Sequence, residues 1–123
     1  MQHPEDIFPN FTEWPESWKG FDEDVPCGQA ILEVMRPFVQ DLIAQGLARK
    51  TIRRHMGNLW LLGGEIIREL NMSGSYESFL AEEAVKESVG LDGGLSCRHL
   101  DTEEEERTYT ATCRKLHKFL QSG

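Results

Sequence analysis

The sequence predicts an all-α protein: four helices over residues 29–123, preceded by an extended arm over residues 1–28. Three observations carry this. Apolar residues recur at three- and four-residue spacing in four separate segments. The longest segment, residues 49–70, holds a single apolar stripe over about five turns. Four of the five prolines (Pro4, Pro9, Pro15 and Pro26) precede residue 29, where they break helix and favour extended chain.

The arm carries Ile7, Phe8, Phe11, Trp14, Trp18 and Phe21. Large aromatics stabilise mainly when buried, so the arm is expected to lie over the helices; a partner-binding arm is the alternative. The first helix is predicted at residues 29–44, with Ile31, Leu32, Met35, Phe38, Val39, Leu42 and Ile43 inward. Pro37 predicts a kink or a later start, and Gly46 a left-handed close. The second, at residues 49–70, turns Ile52, Met56, Leu59, Trp60, Gly63, Ile66, Ile67 and Leu70 inward, with Asn71 as its cap. Gly57, Leu61 and Gly64 share its other face, and each glycine costs about 1 kcal/mol against alanine. Another backbone is expected to pack there, the alternative being a smooth docking face.

A third helix is predicted at residues 76–88. A glycine-rich loop at residues 90–100 follows, in which a short hairpin is possible. The fourth helix starts at Asp101, with Asp101 and Glu104 spaced as a capping box. Glu103 to Glu106 suit the positive end of its dipole, and Arg114, Lys115 and Lys118 the negative end.

A chain of 123 residues fits one domain with a core of its own. No apolar run approaches a membrane span, and no signal peptide is expected at the start. Three cysteines without framework spacing predict free thiols and a cytoplasmic protein. The net charge is −8, distributed as −6 over residues 1–28, +2 over 29–71 and −4 over 72–123. Such a charge repels nucleic acid at long range, so any nucleic-acid role is local or depends on a partner.

The basic start of the second helix is the candidate binding site: Arg49, Lys50, Thr51, Arg53, Arg54 and His55. Cations at a helix N-terminus oppose its dipole by about 0.3–1 kcal/mol each, so the cluster calls for a partner. That partner is either an external phosphate or the protein's own acidic arm at residues 13–24. Cys97 with His99, and Cys113 with His117, are zinc-type ligands, but the first pair lacks ligand spacing and Cys113 falls on the inward stripe. No metal and no cofactor are therefore expected. No nucleophile elbow, ordered catalytic triad or phosphate-binding glycine loop occurs, so no enzyme activity is expected.

Residues 29–120 resemble the N-terminal core-binding (SAM-like) domain of tyrosine recombinases and phage integrases. Phe38, Leu42, Gly46-Leu47, the run Lys50-Thr51-Ile52-Arg53-Arg54-His55 and Leu59 carry the likeness, with Arg114, Leu116, Phe119 and Leu120 in the last helix. Ala48 stands where that family has a serine cap. The resemblance implies a four-helix orthogonal bundle that grips DNA backbone, with Lys50, Thr51, Arg53 and Arg54 contributing. It also implies a stand-alone, non-catalytic version, because Tyr109 lacks the arginines and histidine that surround the family's nucleophile. The expected function is thus DNA-backbone binding by an accessory or regulatory protein. The alternative is an acidic protein-interaction module that has lost DNA binding.

Overall fold

The computed structural model describes residues 2–122. Six α-helices are assigned among them: α1 (Pro4–Ile7), α2 (Trp14–Trp18), α3 (Asp24–Ala44), α4 (Arg49–Ser73), α5 (Ala81–Ser88) and α6 (Glu103–Ser122). A 3₁₀ turn at Phe11–Glu13 links α1 to α2. Between α5 and α6 a two-residue antiparallel ladder pairs β1 (Val89–Gly90) with β2 (Gly93–Gly94). The mostly helical prediction stands. None of the helices is long and apolar enough to cross a membrane.

The N-terminal segment is helical in short pieces and not extended. Three of its four prolines start helices instead of breaking them, and Pro9 lies in a turn. Pro4 and Pro15 occupy first-turn positions of α1 and α2, and Pro26 falls in the first turn of α3. A proline has no N–H to lose there, and its fixed φ suits the helix. Ile7, Phe11 and Trp14 are buried in the same cluster as Met35, Leu59 and Leu116. Each contributes about 1.5–3 kcal/mol by burial. The arm and the long helices therefore share one core.

α3 begins at Asp24, earlier than expected, so a boundary after residue 28 falls inside it. Asp24 is fully buried and explains the early start. Its Oδ2 accepts from the N–H groups of Gly20 and Phe21 (2.7 and 2.9 Å) and from Asn71 Nδ2 (2.7 Å). Its Oδ1 accepts from the Tyr76 hydroxyl at 2.7 Å. Burial alone would raise its pKa, but the hydrogen bonds from Phe21, Tyr76, Asn71 and Gly20 hold it below the ordinary value. The Tyr76 hydroxyl is pushed up to about 12 by that bond to Asp24, and then by burial. Asn71 is thus committed to Asp24, and Gly74 (φ 69°) closes α4 in its place. Gly46 (φ 74°) is left-handed as expected. α3 runs on through Pro37, which is exposed.

α4 touches every other α-helix and is the axis of the fold. Gly57 has nothing within 4 Å of the place a Cβ would occupy, so no backbone packs against it. The close approach falls one step round the helix, at Gly63, where the Trp18 indole fills the space a side chain would need. Trp60, expected inward, is 40% exposed.

α5 is shorter than predicted and starts at Ala81. α6 starts at Glu103, and its capping box is Thr102 with Glu105, not Asp101 with Glu104. Thr102 Oγ1 accepts from the Glu105 N–H at 3.0 Å, and Glu105 Oε1 accepts from the Thr102 N–H at 3.1 Å. Threonine is the better cap because its hydroxyl reaches the third amide.

Candidate nucleic-acid interface

The basic start of α4 divides into two faces. On one, Arg49 Nη2 donates to the Asp6 carbonyl at 2.8 Å, and Arg53 Nη1 donates to the Ile7 carbonyl. Arg53 also lies over the Phe8 ring, 5.3 Å from its centroid. These carbonyls close α1, whose last turn holds no base of its own, so the guanidinium groups serve its negative end. The arm does meet the cluster, through backbone carbonyls and an aromatic ring and not through the acids of residues 13–24.

On the other face Lys50 and Arg54 are exposed and have no hydrogen-bond or ion-pair partner among the described residues. Thr51 is half-buried between the faces. His55 is 9% exposed and belongs to the interior. Its Nδ1 lies 2.7 Å from Thr112 Oγ1, which also receives a bond from Asn58 Nδ2 at 2.9 Å and donates to the Thr108 carbonyl at 3.0 Å. One hydroxyl hydrogen is spent on Thr108, so the network assigns the His55 proton to Nδ1. Burial lowers the His55 pKa, and the cations Lys115 and Arg54 lower it further. His55 thus anchors α4 to α6 and does not face a ligand.

The same contact brings a second basic segment to the first. Residues 42–64 hold four bases and no acid, and so do residues 107–123. The remainder of the chain holds all 21 acids and only five bases. His55 and Asn58 bind Thr112, so the first half of α4 lies against the middle of α6. Lys115 joins Arg54 beside His55, and Arg107, Arg114 and Lys118 are exposed on the same helix. None of the eight bases in these runs has an ion-pair partner among the described residues, whereas Lys19, Arg36, Arg68 and Lys86 do. The α6 bases were absent from the candidate site. The signal that finds them is the lack of any acid from Arg107 onward, not a local cluster.

The cysteines offer little chemistry. Burial pushes the Cys113 thiol up to about 12, and raises Cys97 as well, so neither is a ready thiolate. Cys113 Sγ packs against Gly94, and the neighbouring Tyr109 hydroxyl donates to the Leu95 carbonyl at 2.8 Å. No group of three or more His, Cys, Asp or Glu side chains suited to a metal occurs among the described residues. No protein-family model, curated protein or solved structure matches the chain.

Proposed function

We propose that the protein binds nucleic-acid backbone, without catalysis, through the basic face where α4 meets α6. The observation that carries this reading is charge segregation. In a chain of net charge −8, eight bases occupy two acid-free runs with no ion-pair partner among the described residues, and Arg54 and Lys115 of the two runs come together where α4 meets α6. Unpaired cations held together repel one another, and a row of phosphates relieves that repulsion while releasing counterions. Lys50, Arg54 and Lys115 form the centre of the face, and Arg49 and Arg53 are withdrawn to hold α1. Gly57 leaves the surface between them open to close approach. The reading includes a core-binding-type bundle of four helices, α3 to α6, acting as an integrase-like accessory or regulatory protein.

Fluorescence anisotropy with a short labelled DNA duplex at low salt tests it. Binding weakens steeply as salt rises, and Lys50→Glu with Arg54→Glu abolishes it, as does Lys115→Glu with Arg114→Glu. If both double variants bind as well as the parent, the reading fails. The acidic remainder favours a second reading, a protein-interaction module whose partner is basic. Charge reversal on the α4–α6 face would leave such a partner's affinity unchanged or strengthen it.

A further inference from the structure

Trp60 is exposed yet held. Its Nε1–H donates to Ser17 Oγ at 2.9 Å, and its carbonyl accepts from Trp18 Nε1 at 2.9 Å. An indole fixed by tertiary contacts presents its face with little rotamer entropy left to lose. It stands between two clefts of opposite character. One, about 420 Å³, carries Lys19, Arg68, Arg98 and His99 on its walls against a single acid, Glu65, which pairs with Arg68. The other carries Glu13 and Glu16 beside Phe8 and Trp14. A phosphate chain is attracted to the first side and repelled from the second.

The cationic groove continues the basic face. Lys50, Arg54, Gly57, Leu61, Arg68 and Met72 recur at spacings of three, four or seven residues, so they share one outward face of α4. None of the six is buried. From Lys50 to Arg68 this face runs about 27 Å at 1.5 Å per residue. Cations stand at both ends, small and apolar residues in the middle, and a rigid indole along the edge. Single-strand sites combine the same parts: a positive groove for the backbone and an aromatic face for a base. A duplex keeps its bases stacked on one another and offers Trp60 nothing to stack on.

We propose that the nucleic acid held by α4 is single-stranded, with one base stacked on Trp60 and the flanking phosphates on Arg68 and Arg98. This rests on the backbone-binding reading above. Labelled oligothymidylate, oligouridylate and a duplex, each about a dozen nucleotides long to match a typical site, are titrated at low salt. A single strand is expected to bind at least about 5-fold tighter than the duplex. Trp60→Ala weakens single-strand binding about 5- to 100-fold and leaves duplex binding unchanged, and Trp60→Phe keeps most of the affinity. Equal binding of duplex and single strand, or a Trp60→Ala variant that binds the single strand like the parent, overturns the proposal and leaves the backbone reading intact. Binding of polyglutamate but of no oligonucleotide overturns both.

Discussion

The Trp18 indole occupies the volume that a side chain on Gly63 would need. It also donates its N–H to the carbonyl of Trp60, three residues back along α4. A residue of the N-terminal segment is therefore seated in the middle of the longest helix.

Gly63→Ala is expected to destabilise the protein by about 1–3 kcal/mol, because the indole has to move. Gly57→Ala is expected to stabilise it by up to about 1 kcal/mol, since the new methyl meets nothing and the helix gains propensity. Urea denaturation of the two variants checks both. Equal effects would mean that Trp18 is not seated on Gly63.

The N-terminal segment should unfold with the rest. Deleting residues 1–18 removes Ile7, Phe11 and Trp14 from the core and is expected to abolish cooperative folding. In the full chain, near-ultraviolet and far-ultraviolet circular dichroism should give coincident melting curves. An earlier loss of the tryptophan signal would show the segment to be a separate layer.

Asp24 should make the fold acid-sensitive. Its folded pKa lies below the ordinary 3.8, so its contribution is complete above pH 3.8 and is lost as pH falls through the folded value. Asp24→Asn should lower stability at neutral pH and flatten the dependence below pH 3.8, as read by thermal melts across that range. Tyrosine absorbance should show both hydroxyls still protonated well above pH 10, since burial raises Tyr109 further still, and Tyr76→Phe should remove the titration near 12.

His55 should act at milder pH. Its folded pKa is depressed, so stability is complete above the ordinary value of 6.5 and declines as pH falls below it, until the folded pKa is passed. His55→Gln should remove this decline while keeping a polar contact to Thr112. An unchanged slope in the variant would assign the decline elsewhere.

The long helices were legible because each buries one stripe, and periodicity reports a stripe directly. Gly46 was legible because its backbone angle needs no neighbour. The arm was misread because proline marks both helix breaks and helix starts, and only Ile7, Phe11 and Trp14 meeting the core decide between them. Asn71 was misassigned because its partner, Asp24, is 47 residues away. At the candidate site Lys50 and Arg54 kept their exposed places. His55 went inward because Thr112, 57 residues away on another helix, gives its Nδ1 a buried hydrogen-bond partner. The contribution of α6 is a product of long-range packing, invisible to any local window.

Because the acid-free runs meet on one side, the folded protein is a strong electric dipole with negative net charge. The field of a nearby polyanion exerts a torque before it exerts any attraction. It turns the α4–α6 junction inward and the acidic remainder outward. The unfolded chain has the same charges but no such axis, so only native molecules would be oriented for capture.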